Sequence, residues 1–325
     1  MEDWVDVGMG RWKSPVGMAK CLIRFLLVIA GVMVFGACEK KREIPRAVAI
    51  SEDGIMEVKA MSFNVRYENG GDRGIHAWKE RVVGVVRMVR EQQPDVLGIQ
   101  EGLHGQVADL RVSLAAYDFS GTGRDDGKRK GEYAGIFFRK DRFEKDGKRS
   151  GMIWLSATPE ITGSKTWGNG IPRVANWVRL TDRVSGKPLW VVNMHLDHRS
   201  QPSREKGVRL MVERLVKMNP GNEAVIWMGD FNATEGNPAV EFLKGVKTTM
   251  KAVNGFSGMN ETFDALHTGE KKRGTLHFWM SDPNRQWKVD HIFVSKDARI
   301  LESGVVRSGV PYLSDHFPVV TKVRF

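Results

Sequence analysis

From residue 55 onward, apolar and polar positions fall into recognisable rhythms. Ile55–Val65 reads as a strand that ends on polar Asn64. Trp78, Val82, Val85, Val86 and Val89 recur at helical spacing and predict an amphipathic helix over 78–92, stopped by Pro94. Short apolar runs at Val96–Ile99, Ala134–Phe138, Leu189–Met194 and Ala224–Met228 predict buried strands. Val208, Met211, Val212, Leu215 and Val216 mark a second helix, and His291–Val294 and Phe317–Val323 the last two strands. Strands and helices interleave without repeats, which predicts an α/β body.

Several of these strands end in a polar group: Asn64, Glu101, His195, Asp230, Asn232, Asp290, Asp315 and His316. Loops held by a rigid scaffold are where sites are commonly built. In Gly229-Asp230-Phe231-Asn232, an extended chain would point Asp230 and Asn232 to the same side. One could take a proton from water while the other donates to a phosphate oxygen; a turn closing the strand is the plainer alternative. Ser314-Asp315-His316 offers a metal-ligating acid beside an imidazole, and Asp290 is an acid able to hold that imidazole protonated. Glu101 is a hard oxygen donor of the kind magnesium prefers, and Asn64 can hydrogen-bond the same ligand sphere. His195 lies in the pKa range of a general acid, with Glu132 as a group to orient it. Each motif alone is weak, and a lone histidine is more often structural.

Charge adds direction. The 325 residues carry a net charge of +11. Residues 1–60 hold nine Lys/Arg and eight Asp/Glu, so nearly all of the excess belongs to the folded body and favours a polyanionic substrate. Both cysteines, Cys21 and Cys38, precede that body, which excludes an internal disulfide or a Cys-based zinc site there. No HExxH cluster marks a zinc protease.

The N-terminus reads as a processing signal. Lys20 and Arg24 precede the eleven apolar residues Phe25–Phe35, too few for a bilayer span of roughly twenty. Gly36 and Ala37 then lead into Cys38. The order resembles a bacterial lipoprotein signal, with Cys38 lipidated and Met18 the expected start. The expected organisation is a signal over 1–38, a tether over 39–54 and one catalytic domain over 55–325. The protein is then exported, held to the membrane by its lipid and monomeric.

Seven segments in order, SFNVR, GIQE, the Glu132–Arg139 stretch, NMHLDH, GDFNA, VDHIF and SDHFPV, resemble the endonuclease/exonuclease/phosphatase superfamily. Its members include deoxyribonuclease I, AP endonucleases, neutral sphingomyelinases and inositol-polyphosphate 5-phosphatases. The resemblance implies a four-layer αββα sandwich, two mixed sheets face to face with helices outside. It also implies a Mg2+ or Mn2+ cofactor and a phosphate-ester substrate. Glu101, Asn64 and Asp315 match the metal-binding positions, Asp230 the residue that aligns water and Asn232 the phosphate-orienting amide. His316 with Asp290 matches the group that stabilises pentacovalent phosphorus. His195 matches an additional histidine of the deoxyribonuclease I and phosphatase branches, and Glu132 a glutamate of deoxyribonuclease I. His291 departs from the tyrosine of many relatives.

Arg173 is the expected contact to substrate phosphate, and the run Arg124–Lys130 reads as a solvated loop. Trp167, Trp279 and Trp287 lie in loop-like segments, where exposed rings could stack on bases or enter lipid headgroups. The leading expectation is a phosphodiesterase, with nucleic acid ahead of phospholipid. A sugar- or inositol-phosphate monoesterase is the alternative within the fold, and a catalytically inactive binding lipoprotein the alternative outside it.

Overall fold

The computed structural model describes residues 54–270, 273–282 and 286–325. The signal, Cys38 and most of the tether lie outside the described residues. Two six-stranded mixed sheets make up the domain. The first comprises β1 (Glu57–Asn64), β2 (Val96–Gly102), β3 (Tyr117–Ser120), β4 (Tyr133–Arg139), β11 (Arg299–Val305) and β12 (Val319–Arg324). Its order is β11-β12-β1-β2-β4-β3. The second comprises β5 (Phe143–Trp154), β6 (Val174–Asp182), β7 (Pro188–His195), β8 (Ala224–Asp230), β9 (Met259–Glu261) and β10 (Asp290–Ser295). Its order is β5-β6-β7-β8-β10-β9. At the centre of each sheet one pair is parallel, β1 with β2 and β7 with β8.

Three apolar layers follow from the two-residue period of the strands. Val58 and Ala60 of β1, Val96 of β2, Val191 of β7, Ile226 and Met228 of β8 and Ile292 of β10 fill the space between the sheets. The alternate residues face outward. Met61, Phe63 and Leu97 pack against α1 (Trp78–Gln92) and α2 (His104–Ser113) through Val85, Val89 and Leu110. Trp190, Val192 and Trp227 pack against α3 (Gln201–Met218) and α4 (Pro238–Lys244) through Val208, Met211 and Leu243. This is the αββα sandwich. The expected helix over 78–92 is α1, and the bounds of every expected strand lie within three residues of an observed one. Not anticipated are β3, β5, β6, β9, β11 and the short helices, whose sequences carry no strong period.

The inter-sheet layer changes character along its length. Toward the end where β1, β2, β7 and β8 finish, it turns from aliphatic to polar: Ser62, Asn64, Gln100, Asn193, His195 and Asp230 are all buried. Gln100 Nε2 donates to Asn193 Oδ1 at 2.7 Å, and Asn193 Nδ2 donates to the carbonyls of Ile99 and Gly135 at 2.9 and 2.8 Å. These amides tie one sheet to the other. Gly98 permits the approach, since a Cβ there would stand 2.6 Å from Met228 Sδ and 2.9 Å from Asn193 Cγ.

Candidate functional site

Strand register assembles the site. Asp290 of β10 lies opposite Asp230 of β8, and Asp230 lies opposite His195 of β7. Asn64 enters from the facing sheet, paired in register with Gln100. Alternation alone would turn Glu101 away from this row. The register between β2 and β4 shifts after Ile99, and Glu101 adopts φ of 65°. That left-handed residue, rare without glycine, marks a strained position of the kind concentrated at functional sites. Its carboxylate then reaches Asn64 Nδ2, which donates to Glu101 Oε1 at 3.1 Å and to Asp230 Oδ2 at 3.0 Å. Asn64 therefore bridges the two acids through its amide nitrogen, while its Oδ1 accepts from Arg66 N at 3.0 Å.

The GDFN segment is not extended through Asn232, contrary to the simple strand reading. Asn232 has φ of 46°, and its backbone N–H donates to Asp230 Oδ1 at 2.8 Å, closing an Asx-type turn. The turn still delivers both side chains to one place. Asn232 Nδ2 donates to His195 Nε2 and to the Leu196 carbonyl, each at 3.1 Å. Gly229 is required before it: φ is 153°, and a Cβ would lie 2.1 Å from the Met194 carbonyl oxygen.

His316 Nδ1 donates to Asp290 Oδ2 at 2.8 Å, and its Nε2 lies 3.8 Å from Asp230 Oδ2. Burial opposes the charged ring, but Asp290, Asp230 and Asp315 outweigh it and hold the His316 pKa well above the ordinary range. His195 is the opposite case. Burial, then the neighbouring Arg173 charge, push its pKa down to about 3. It is neutral at physiological pH, so a proton donor at that ring is not preformed. Asp230 is raised by burial and then by Asp290. Asp315 is raised by burial, against the pull of His316.

The remaining expected residues sit nearby in altered company. Glu132 accepts from both Nη atoms of Arg124, at 2.5 and 2.7 Å, and lies 3.6 Å from His195 Nδ1, beyond hydrogen-bond reach. Arg124 is thus a buried partner at the site, where its charge-rich sequence read as solvated loop. Asp315 faces Arg66 Nη1 at 3.5 Å and accepts from Ser314 Oγ at 3.3 Å. Arg173 is buried; its Nη2 lies 3.0 Å from His198 Nδ1 and its Nε 3.6 Å from Asp197 Oδ2. Neither its Nε nor its Nη1 makes a hydrogen bond. Trp287 is exposed, stacked edge-on against exposed Phe278, whereas Trp167 and Trp279 are half-buried.

Two groups of donor atoms among the described residues lie close enough to hold one cation: Glu101, His195 and Asp230, and Asp230, Asp290 and His316. In the second, the Asp290–His316 bond already uses the ring. The first offers two carboxylates, oxygen donors that fit a hard divalent ion, beside His195, whose Nε2 already accepts from Asn232. The chemistry of the site supports the same fit, since Asp230 is buried next to another acid and gains from a cation. Asp315 joins neither group.

A model of the Endonuclease/Exonuclease/phosphatase family matches residues 61–316, from the strand of Asn64 to His316. The chain belongs to that family. No curated protein matches it. Among solved structures, an Endonuclease/Exonuclease/phosphatase protein of Bacteroides thetaiotaomicron is 30% identical, with a TM-score of 0.72, covering 83% of this chain and 98% of its own. A family protein of Bacteroides vulgatus is 29% identical at TM-score 0.72, covering 82% and 98%. The mannosyl-6-phosphatase of Bacteroides thetaiotaomicron is 31% identical at TM-score 0.71, covering 82% of this chain and all of its own. More distant neighbours such as the D. rerio TDP2 bound to single-stranded DNA product, 22% or less identical, share the fold. The chain is accordingly a phosphate-ester hydrolase of the Endonuclease/Exonuclease/phosphatase family, a divalent-metal class of enzyme.

Proposed function

We propose that this family member hydrolyses a phosphate monoester of a sugar, by in-line attack of water on phosphorus. The observation that carries the reaction is the meeting of Asn64, Glu101, Asp230, Asn232 and the Asp290–His316 pair in one buried row. Asp230 takes the proton of the attacking water as the new O–P bond forms. The protonated His316 neutralises charge growing on a non-bridging oxygen, in a place already prepared for it. Asn232, held by His195, orients another phosphate oxygen. The ester O–P bond breaks and the leaving alkoxide takes a proton from solvent. A Mg2+ or Mn2+ ion at Glu101 and Asp230 would supply Lewis-acid polarisation of a phosphate oxygen. Arg173 supplies further positive charge to the phosphate side of the pocket.

Two facts favour a small monoester over a polymer. The relative with a stated substrate and 31% identity is a mannosyl-6-phosphatase, covered over its whole length. Arg124 and Arg173, two cations beside the site, are buried rather than lining an open groove. Nucleic-acid diester hydrolysis is the second reading, favoured by the basic excess of the body and the exposed Phe278–Trp287 pair. Purified protein should release phosphate from mannose 6-phosphate or another hexose phosphate with Mg2+ or Mn2+ and lose this with EDTA. Cleavage of DNA, RNA or sphingomyelin with no monoester turnover would overturn the sugar reading. Export and anchoring through Cys38 belong to the proposal on sequence grounds; palmitate labelling lost in Cys38→Ala tests them.

A further inference from the structure

We propose that His291 is a positioning residue that sets the Asn232 turn from the outer side of the second sheet. The inference rests on the reading that Asn232 orients the substrate phosphate. Asp290 and His291 are consecutive on β10, so their side chains leave opposite faces. Asp290 holds His316 in the pocket. His291, fully buried, points away from it and reaches the backbone of the very loop that carries Asn232. Its Nε2 lies 2.9 Å from the carbonyl oxygen of Ala233. A carbonyl only accepts, so Nε2 carries the proton. Its Nδ1 lies 2.8 Å from Lys288 Nζ and 3.3 Å from Glu261 Oε1. The ammonium is the shorter contact and only donates, so Nδ1 accepts from it while Ala233 holds the proton on Nε2.

Lys288 is fixed in turn. It is 4% exposed and donates to Glu261 Oε1 at 2.7 Å. Glu261 Oε2 accepts from the backbone N–H of Asp264, capping α5 (Thr262–Leu266). A buried chain of hydrogen bonds therefore runs from a helix cap through Glu261, Lys288 and His291 to Ala233. The ring is wedged edge-on against Phe231, with centroids 5.4 Å apart, and stacks with Phe293. Its register partner is Gly229, which offers no side chain to oppose it. Two residues beyond Ala233, Glu235 pairs with Arg273, which also holds Asp264 beside the same cluster. The loop is clamped at both places. Asn232 sits at φ of 46°, a left-handed conformation that asparagine tolerates better than most non-glycine residues but that its surroundings must still hold in place. The relay is the element that holds it, so one strand positions both halves of the phosphate site: the imidazolium through Asp290, the amide turn through His291.

The test uses the whole folded domain, its own best ester substrate and NMR. In the wild type, nitrogen-15 imidazole spectra, assigned by the resonance lost in His291→Gln, should show His291 as the Nε2–H tautomer; an Nδ1–H or doubly protonated ring overturns the relay. His291→Phe should lower kcat at least ten-fold with KM within three-fold, and should shift the Asn232 side-chain amide resonance. His291→Gln can accept from Lys288 and donate to Ala233; it should restore kcat to within three-fold and the wild-type Asn232 resonance. Wild-type kcat and an unmoved Asn232 signal in His291→Phe, or equal loss in both variants, would refute positioning. If His291→Phe fails to fold, the wild-type tautomer and the His291→Gln rates decide. If the wild type turns over no phosphate ester, the functional reading fails on its own, and the tautomer and the Asn232 resonance still judge the positioning.

Discussion

Asn64 shows how much a single side chain settles here. One amide nitrogen donates to both Glu101 and Asp230, acids that would otherwise repel in a buried space. Such a group costs more to delete than its bonds are worth, because the partners stay buried. In the proposed reaction Asp230 and His316 differ from it in that their main work is chemical. Asp230→Ala and His316→Ala are each expected to lower kcat by roughly two to three powers of ten while shifting the melting temperature by a few degrees at most, measured by phosphate release and calorimetry. Wild-type rates in either variant would remove that residue from the mechanism. His195 carries a different lesson. Its sequence context fits a general acid; in the structure burial and then Arg173 disfavour its charged form, and its Nε2 accepts from Asn232.

At the scale of elements, the polar end of the inter-sheet layer is held by Asn193 rather than by apolar packing. Asn193→Leu keeps the volume but leaves the Ile99 and Gly135 carbonyls and the Gln100 amide short of a partner. A loss on the order of 2–4 kcal/mol in urea unfolding is expected. The β9–α5–β10 region carries a pH-dependent contribution. Burial pushes the Glu261 carboxyl upward, but the charge of Lys288 is the largest opposing influence, and the carboxyl's pKa is held well below the ordinary range. A depressed acid stabilises the fold fully above its unfolded pKa, about 4.3, and progressively less as pH drops toward its folded value. The difference in unfolding free energy between wild type and a Glu261→Gln/Lys288→Met double variant should therefore shrink as pH is lowered from 5 to 3. A difference that grows over that range contradicts the ion pair.

The whole molecule brings its site together where the sheets face each other at one end, and Glu101 with Asp230 spans both sheets. A cation bound by groups from two layers stabilises the native state in proportion to its free concentration. Adding Mg2+ or Mn2+ should raise the melting temperature of the wild type with concentration, and Glu101→Gln should flatten that response. Equal responses would place the ion elsewhere. Among the described residues no helix is long and apolar enough to cross a membrane.

The seven segments, the sheet-helix order and the polar strand ends were all legible along the chain, because each is a local pattern: a period, a turn residue, a carboxylate after an apolar run. Those patterns gave an α/β body and the candidates Asn64, Glu101, Asp230, Asn232, Asp290 and His316, while the sandwich followed from the family resemblance that the seven segments carry. Who touches whom was not local. The left-handed Glu101 and the burial of Arg173 depend on packing between segments far apart in sequence. So does the relay through Lys288 and His291, where a sequence reader sees only a strand beginning after a charged residue. Protonation states belong to the same class: charge and burial act through space, and only the packed sheets set which imidazole is charged and which is not.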